Sequence, residues 1–401
     1  MVLLRIPKQE HLQRINSIKE ELKRRKLDAL YLSNPFRVSY VTGFPFIACS
    51  RPFGLLIPKN DELVLIIPKL EQTHLKERGA VGVSEVVTYF EYPGKQDPLD
   101  VIAATFRRRK VDKKKIGFDS SALPDLPGYE GGSLSKKLPD ATFIAARDII
   151  DRMRSRKSTS EIELFKEAAR WGNLAHTYLQ EFIEVGRSEI EISSKATYHA
   201  TSAMLKSLGP SYEPLELIWY PAWARFKAGH RTAYTHGLLV NRRVRLHDPI
   251  ETAAEGMVGG YGNHLERTMY VGKPDNKFRR YFSIMLKMQN AAIATCKPGV
   301  KCEEVHRNVV RVVKHAGLNP KTVIHHRSGH GMGLEHFEPP FFVEGDQTTL
   351  APGMVFTIEP GLYVDGYAGF RHCDTVVITE DGCEIIDYYP RELEDLIVTG
   401  K

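Results

Sequence analysis

Residues 328–340 read SGHGMGLEHFEPP, and residues 357–363 read TIEPGLY shortly after. Both stretches place histidine or glutamate beside glycine and proline, which favour turns. Glycine lets a backbone or a ligand approach closely, so polar side chains at such turns suit a pocket. The two stretches therefore predict a framework of strands and turns that directs His330, His336 and Glu359 into one site.

Three more stretches carry residues of the same kinds at glycine-rich positions. They are AGHRTAYTHG at 228–237, with His230 and His236, GGYGNHLERT at 259–268, with His264 and Glu266, and AGFRHCDT at 368–375, with Arg371 and Cys373. A single histidine is weak evidence for function, because a core position can hold one. Histidines and carboxylates that recur in five separate segments indicate a shared site.

Composition bounds the class of protein. The chain has 401 residues, of which 42% are hydrophobic and 26% charged, and these values are typical of a globular protein. At roughly 150 residues per domain, this length predicts two domains. The five cysteines form an odd set without a CxxC pair, which excludes a secreted disulfide scaffold.

The chain offers no segment for membrane insertion. Its apolar runs are strand-sized, far below the ~20 residues of a membrane span, and residues 2–4 are too short for a signal peptide. The net charge of +7 is mildly basic, but the basic runs lack the aromatic residues of a nucleic-acid platform. We therefore expect a cytoplasmic protein that binds a small molecule rather than a membrane or nucleic acid.

The first 150 residues predict an α/β domain. Residues 9–26 place leucine and isoleucine at helical spacing, which indicates an amphipathic helix. Residues 28–33 and 62–67 are typical of strands, because they are short apolar runs bounded by polar residues and turns. Alternating helices and strands indicate a sheet covered by helices.

The polar segment 151–160 is the predicted boundary, which gives domains of residues 1–150 and 151–401. After it, Ser160 and Glu163 show the spacing of a capping box, which predicts the start of a helix. Further helices are predicted over 189–208, 278–295 and 302–316, with strands over 354–387. This second domain is predicted to be α+β.

Four ordered motifs run through the second domain. They are GY-(x)5-RT from 260, GHG-x-G-L from 329, TIEPGLY from 357 and GFR-x-x-D from 369. They resemble the signature blocks of the pita-bread hydrolases, a family that includes methionine aminopeptidase, aminopeptidase P, prolidase and creatinase. Residues 33–44, SNPFRVSYVTGF, resemble the N-terminal domain of creatinase and prolidase. The resemblance implies an α+β pita-bread domain preceded by a smaller α/β creatinase-type domain, and a homodimer.

Metallopeptidase members of this family bind two divalent metals through two aspartates, one histidine and two glutamates. The resemblance places these ligands at five positions: Ala253, His264, His330, Glu359 and Cys373. Only His330 and Glu359 keep the residue type. Because a dinuclear centre needs hard carboxylate oxygens to balance its charge, we expect no dinuclear metal and no cofactor.

Creatinase, the metal-free member, supplies the hypothesis that we favour. It implies hydrolysis of a C–N bond in a small, cationic or zwitterionic, non-peptide substrate. His236 corresponds to its catalytic histidine, which acts as general acid and base. Glu266 and Glu359 correspond to two glutamates that hold a cationic group through charge-assisted hydrogen bonds.

The remaining candidates are assigned by the same resemblance. His330 joins the catalytic set, while Arg51 matches an arginine that binds the substrate's carboxylate across a dimer interface. His336, Arg371 and Cys373 are predicted to contact the substrate as well. His336 stands one residue earlier than the family's second histidine.

Two alternatives stay open. In the first, one divalent metal, Zn or Mn, is bound by four residues: His264, His330, Glu359 and Cys373. Imidazole, carboxylate and thiolate donors suit such a tetrahedral shell. That enzyme would be a metal-dependent Xaa-Pro dipeptidase or aminopeptidase with an unusual metal shell. In the second, the chain is a non-catalytic pita-bread binding protein.

Overall fold

The computed structural model describes residues 2–46, 50–120, 129–215 and 221–399. The chain divides into two compact units, Ile6–Arg154 and Ser155–Lys401 with Met1–Arg5. We name them the N-terminal unit and the C-terminal unit. The domain boundary predicted between residues 150 and 151 stays a prediction, since compactness alone does not show independent folding.

The N-terminal unit alternates helices with strands. Its helices are α1 (Lys8–Arg25), α2 (Pro35–Thr42), α3 (Gln72–Arg78), α4 (Pro98–Arg108), α5 (Leu134–Lys137) and α6 (Arg147–Ser155). Its strands are β1 (Ala29–Leu32), β2 (Gly54–Pro58), β3 (Leu63–Pro68), β4 (Val83–Tyr89), β5 (Lys115–Phe118) and β6 (Thr142–Ala145). The strand order is β4-β3-β2-β1-β5-β6, with β1 antiparallel to β2 and parallel to β5. This architecture confirms the α/β class expected from the sequence.

The central strands of this sheet are apolar and buried. The sequences of β2 (GLLIP) and β3 (LVLIIP) are buried along their whole length. Such unbroken apolar runs are typical of a strand that is covered on both faces. Helix α4 adds Leu99, Ile102 and Phe106 to the core, where Phe106 contacts the edge of the Tyr31 ring.

The C-terminal unit combines long helices with short strands. Its helices are α7 (Thr159–Phe182), α8 (Glu189–Leu208), α9 (Asn276–Thr295), α10 (Cys302–His315) and α11 (Pro320–Val323). Its strands are β7 (Ala222–Ala228), β8 (Pro249–Val258), β9 (Tyr261–Gly262), β10 (Thr268–Val271), β11 (His330–Gly331), β12 (Glu338–Phe341), β13 (Val355–Ile358), β14 (Gly361–Val364), β15 (Ala368–Arg371), β16 (Asp374–Ile378), β17 (Cys383–Ile385) and β18 (Ile397–Val398). Short 3-10 helices lie at Gly229–Ala233 and Leu393–Leu396, and the N-terminal unit has another at Lys69–Glu71. The predicted α+β class is confirmed.

The strands of the C-terminal unit bring distant motifs together. One sheet has the order β18-β10-β8-β7 with β9 paired to β8, a second has the order β12-β11-β13-β16-β17, and β14 pairs with β15. Two backbone hydrogen bonds join Glu266 to Cys373, with N···O distances of 3.1 and 3.0 Å. The segment GGYGNHLERT therefore lies directly beside AGFRHCDT.

The first helix of this unit begins earlier than predicted. The helix cap is Ser158 with Glu161, not Ser160 with Glu163, so that prediction is wrong. The sequence KSTSEIE contains the capping-box spacing twice, and the earlier serine accepts the N–H of Glu161 at 3.1 Å. The other predicted helices are confirmed as α8, α9 and α10, with small differences at their ends.

Within the residues that the structure describes, every helix is too short or too polar to traverse a lipid bilayer. The cytoplasmic location stays a prediction.

Candidate functional site

A cavity of about 770 Å³ lies in the C-terminal unit. The predicted site residues among its lining are His236, His264, Glu266, His336, Glu359 and Arg371. His330 and Cys373 are fully buried beside this lining rather than part of it. Arg51 belongs to the N-terminal unit, where its guanidinium pairs with Glu91 at 2.5 Å.

One wall of the cavity is formed by the paired strands β7 and β8. Their register sets Lys227 opposite Glu251 and Arg225 opposite Ala253. Alternate residues of a strand share a face, so Glu251, Ala253 and Glu255 all line the cavity. Glu251, Glu255 and Lys227 were missed in the sequence, where the spacing E-T-A-A-E could have revealed two carboxylates on one face.

His264 lies between two carboxylates. Its Nδ1 is 3.0 Å from Oε1 of Glu255, and its Nε2 is 3.1 Å from Oε1 of Glu266. The Nδ1 atom is also 3.0 Å from Nε2 of His336. Burial opposes a charge on this ring, but Glu266 and Glu255 together raise the pKa of His264 well above its usual value. The ring is therefore cationic unless another cation takes the place of its proton.

Arg371 holds two buried carboxylates at the floor of the cavity. Its Nη2 is 2.6 Å from Oε1 of Glu266 and 2.7 Å from Oε1 of Glu251, and its Nε is 2.6 Å from Oε2 of Glu266. Burial raises the pKa of Glu251. Burial also opposes the charge of Glu266, yet Arg371 and His264 lower its pKa. Of the two carboxyl groups that Arg371 contacts, Glu266 is the one whose pKa is lowered, since its cationic neighbours outweigh its burial.

The floor carries an excess of acidic side chains. Its buried carboxyl groups are Glu251, Glu255, Glu266 and Glu359, and its buried basic groups are Arg371 and Lys227. Burial raises the pKa of Glu359 and lowers that of Lys227. Buried carboxylates are costly without compensating positive charge. The site therefore favours a bound cation, a proton on His264, or both.

His330 directs a lone pair at Glu359. Its Nδ1 lies 3.0 Å from the carbonyl oxygen of Gly331, so this nitrogen carries the hydrogen and donates it. Its Nε2 then has a lone pair, which lies 3.4 Å from Oε1 of Glu359 and has no hydrogen-bond partner among the described residues. Burial lowers the pKa of His330 well below its usual value, so the ring is neutral. Such an atom can accept a proton or bind a metal ion.

Four side chains could bind one metal ion. Ligand atoms of His264, Glu266, Glu359 and Cys373 lie within 4.8 Å of one another, and we name these four the donor cluster. The set differs from the predicted one because Glu266 replaces His330. Imidazole, thiolate and carboxylate donors are those of zinc sites. Burial raises the pKa of the Cys373 thiol, so a bound ion has to displace its proton.

The donor cluster fits one divalent ion better than the dinuclear centre that the resemblance implies. Ala253, which stands at the first aspartate position, has no ligand atom in its side chain. The residue directly opposite on β7 is Arg225, whose positive charge disfavours a second cation nearby. A further group of ligand atoms, from Glu255, His264 and His336, shares His264 with the donor cluster.

Two further histidines line the cavity without belonging to the donor cluster. His236 lines the cavity from an exposed turn and does not belong to the donor cluster. His326 was missed in the sequence, although it stands in HHRSGHG next to a recognised motif. Its Nδ1 donates to the carbonyl of Arg327 at 2.6 Å, and its Nε2 accepts from the hydroxyl of Tyr363 at 2.8 Å. Burial lowers the pKa of His326 to about 4, which keeps this ring neutral.

The chain is similar along most of its length to proteins named Xaa-Pro dipeptidase. It is 26% identical to that of Pyrococcus furiosus, over 95% of this chain and 99% of the relative. It is 28% identical to that of Lactobacillus helveticus, over 92% of this chain and 94% of the relative. The solved structure of the Xaa-Pro dipeptidase from Bacillus anthracis has a TM-score of 0.79 at 26% identity, covering 96% of this chain and 99% of that one. These names favour the peptidase alternative over the creatinase-like hypothesis.

Two family models cover the two units. Residues 163–380 match the Metallopeptidase family M24, and residues 14–156 match the Creatinase/Prolidase N-terminal domain. The predicted pita-bread fold and hydrolase class are confirmed. The expectation of no cofactor is wrong, because the matching family is one of metallopeptidases and the cavity offers a donor cluster. That expectation counted ligands only at aligned positions, whereas Glu266 brings in a carboxylate two residues beyond His264. The chain belongs to metallopeptidase family M24.

Proposed function

We propose that this chain is a metal-dependent dipeptidase that hydrolyses the amide bond of a dipeptide-sized substrate. The observation that carries the proposal is the donor cluster, whose ligand atoms lie within 4.8 Å of one another beside the cavity. The names of the similar proteins support the substrate class, and a proline after the scissile bond is the first case to test. The creatinase-like hypothesis, with a non-peptide substrate, competes with this one.

The surplus of buried carboxyl groups supports a site for a cation. A divalent ion in the donor cluster would polarise the scissile carbonyl and lower the pKa of a water molecule. Binding there requires that His264 and Cys373 release their protons, which makes metal affinity fall at low pH. Arg371 contacts Glu266 through two of its nitrogens and so fixes the orientation of this carboxylate.

Proton transfer is assigned to Glu359. One of its oxygens belongs to the donor cluster, and the other would accept a proton from water and return it to the leaving nitrogen. His330 stays neutral, and its Nε2 lone pair lies 3.4 Å from Glu359, where it can stabilise the protonated form. His336 contacts His264 and thereby helps to hold that ring in place.

His236 separates the two hypotheses. In the creatinase-like hypothesis it is the general acid and base, so His236→Ala would lower kcat by about 10²- to 10⁴-fold. In the dipeptidase hypothesis proton transfer belongs to Glu359, and His236 contributes at most to substrate binding at the rim. We therefore expect His236→Ala to raise KM for a dipeptide while kcat changes little.

The proposal is tested by metal content and by substrate choice. Protein purified without chelator is analysed by mass spectrometry of its metals and assayed with Xaa-Pro dipeptides, dipeptides without proline, and creatine. We expect about one Zn or Mn per chain, as one donor cluster implies. Hydrolysis of dipeptides should be lost on dialysis against chelator and restored by the metal.

Two variants make this test specific. Cys373→Ser removes the thiolate and should reduce the bound metal, while His315→Asn removes an exposed histidine at the end of α10 and should not. Full activity of the chelated protein would contradict the metal-dependent mechanism. Cleavage of creatine but of no dipeptide would contradict the substrate class and favour the creatinase-like hypothesis.

We further propose that the chain forms a homodimer, as the resemblance to creatinase and prolidase implies. Arg51 was assigned to a substrate contact across such an interface, so the assembly bears on the site. Light scattering of the purified protein gives its mass in solution. A mass equal to that of one chain would contradict the dimer.

A further inference from the structure

Another cavity lies wholly within the N-terminal unit, and lysines dominate its lining. Its volume is about 630 Å³, within the range of roughly 300–1,000 Å³ that is typical of small-molecule sites. The lysines come from the end of α1, the turn after β2 and the turn before β5, and we name the cavity the lysine pocket: Lys23, Lys26, Lys59, Lys113, Lys114 and Lys115.

Asp28 holds two of these lysine-bearing segments together. Its Oδ1 accepts from Nζ of Lys59 and its Oδ2 accepts from the N–H of Lys115, both at 3.1 Å. The backbone N–H of Lys59 donates to the carbonyl oxygen of Asp28 at 2.9 Å, and the N–H of Asp28 donates to that of Lys115 at 2.8 Å. Burial opposes the charge of Asp28, but the N–H of Lys115 and the ammonium of Lys59 lower its pKa. The lysines are therefore gathered by the fold itself.

The lysine pocket carries a large surplus of positive charge. Six lysines face one aspartate, a surplus of five, whereas the whole chain has a net charge of +7. Lys23 and Lys113 form exposed ion pairs, at 2.7 and 3.5 Å, with carboxylates outside the lining. Lys26, Lys114 and Lys115 form no ion pair within the described part of the chain. Because like charges repel, a bound anion would relieve this arrangement.

The lining indicates the kind of anion. An ammonium group binds phosphate as a point charge, so several lysines around a small volume suit a ligand with several phosphate groups. The amide of Asn60 and the hydroxyl of Thr142 add neutral hydrogen-bond donors. Among the described residues that line the lysine pocket there is no aromatic side chain on which a base could stack. These features favour a small phosphorylated anion over single-stranded nucleic acid.

We propose that the lysine pocket binds a small anion that carries two or more phosphate groups. This site is separate from the proposed dipeptidase function, because the donor cluster belongs to the C-terminal unit. Loss of the catalytic metal should therefore leave the affinity of the lysine pocket unchanged.

The test is calorimetric titration of the full chain with tripolyphosphate. We expect one saturable site per chain, with an affinity that falls as salt is added, because the lysines are exposed. The double variant Lys26→Gln/Lys114→Gln removes two of the unpaired charges. It should weaken binding about 10-fold or more, as expected for the loss of two charge-assisted contacts.

The matched control is Lys69→Gln/Lys76→Gln, which removes the same charge from exposed positions of the N-terminal unit outside the lysine pocket. It should bind tripolyphosphate as the wild-type protein does. Equal weakening in both double variants would overturn the proposal, since net charge alone would then explain binding. Absence of saturable binding in the wild-type protein would overturn it too.

Tripolyphosphate also binds divalent metals, so metal-loaded and chelator-treated protein are titrated side by side. Equal affinities are expected, and binding that requires the metal would contradict the lysine pocket. Acetylation of lysines followed by mass spectrometry locates the site, since tripolyphosphate should protect Lys59 and Lys114 but not Lys76. Binding of a short single-stranded oligonucleotide more tightly than tripolyphosphate at physiological salt would overturn the assignment to a small anion.

Discussion

Arg267 and Arg371 are both buried in the C-terminal unit, yet their surroundings differ. Arg267 donates to the carbonyl oxygens of four residues and to Oδ1 of Asp374 at 2.6 Å. The other oxygen of Asp374 accepts from the amide of Gln289 at 2.7 Å. We name Arg267, Asp374 and Gln289 the support cluster, in which the three guanidinium nitrogens of Arg267 and both oxygens of Asp374 are hydrogen-bonded.

Arg371, Glu251 and Glu266, which we name the cavity cluster, are not satisfied in the same way. Their contacts of 2.6 to 2.7 Å are close ion pairs. Even so, both oxygens of Glu251, Oε2 of Glu266 and Nε of Arg371 lack a well-directed hydrogen bond among the described residues. A fully bonded buried network stabilises the fold, whereas the ion-paired side chains of the cavity cluster line the cavity and lie beside whatever it binds. The support cluster is therefore expected to stabilise the fold, and the cavity cluster to serve binding or catalysis.

The largest effect is expected from Glu359→Gln at the edge of the cavity cluster. This change keeps the size of the side chain but removes its charge and its capacity to accept a proton. Loss of general acid and base catalysis predicts a fall in kcat/KM of about 10²- to 10⁴-fold. Because burial raises the pKa of Glu359, the folded protein should not be destabilised at neutral pH. Steady-state kinetics and the midpoint of thermal unfolding are measured together.

The matched control for this prediction is Glu384→Gln, which removes an exposed carboxylate paired with Lys166 at 3.0 Å. It should leave kcat/KM unchanged. If Glu359→Gln keeps its activity, Glu359 does not transfer the proton, and a position at the cavity does not identify a catalytic residue.

The opposite result is expected for Arg267→Met in the support cluster. Removing one partner of a buried ion pair leaves Asp374 charged without compensation, which costs about 3–5 kcal/mol of unfolding free energy. Urea denaturation of the variant and the wild-type protein measures this loss. Arg267→Lys should recover part of it, since the charge is kept but several hydrogen bonds are lost. Equal stability of Arg267→Met and wild type would show that the network does not stabilise the fold.

Much of the fold and of the candidate site could be predicted from the sequence, but not all of it. Helices and buried strands follow from periodicity and apolar runs, as the agreement over α8, β2 and β3 shows. His264, Glu266 and Glu359 could be recognised because each stands in a short motif that contains glycine or proline. Local spacing of this kind is visible in a single sequence.

The parts that could not be predicted depend on cross-strand register. Glu251 and Glu255 flank Ala253 on the face of β8 that lines the cavity, and only the pairing with β7 places Lys227 opposite Glu251. The alternation that puts Glu251, Ala253 and Glu255 on one face appears only once residues 249–258 are known to form a strand. The partners of Arg267 include carbonyl oxygens near the C-terminus of the chain, which no local pattern indicates.

A smaller effect on stability is expected from His372, which follows Arg371 in the chain and is fully buried. Its Nδ1 accepts from the N–H of Thr268 at 3.2 Å, and its Nε2 donates to the carbonyl of Arg391 at 3.0 Å, so the ring is neutral. Burial and the charge of Arg267 lower the pKa of His372 to about 3. Below an unfolded pKa of about 6.5, the unfolded chain binds a proton that the folded protein does not. Stability should therefore fall as the pH drops from 6.5 towards 3.

The size of this effect follows from the pKa difference. At pH 5, His372 should cost about 2 kcal/mol relative to pH 7, since each pKa unit corresponds to about 1.4 kcal/mol. His372→Asn removes the titrating group, so its unfolding free energy should change less between these two pH values. His315→Asn is the control with an exposed histidine. Parallel pH profiles for wild type and His372→Asn would contradict the prediction.

The smallest effect on stability is expected from Arg51, which extends the comparison to an exposed pair. Its Nε and Nη2 lie 2.5 and 3.0 Å from the two oxygens of Glu91, and the side chains are 30% and 34% exposed. Water and salt screen such a pair, so Arg51→Met should not measurably shift the unfolding midpoint. The same variant tests the predicted substrate contact, because a carboxylate ligand lost across a dimer interface raises KM without changing stability. A raised KM for Ala-Pro, but not for Ala-Pro amide, would show that Arg51 binds the substrate's carboxylate. An unfolding midpoint lowered by several degrees would instead show that Arg51 stabilises the fold, as the support cluster does.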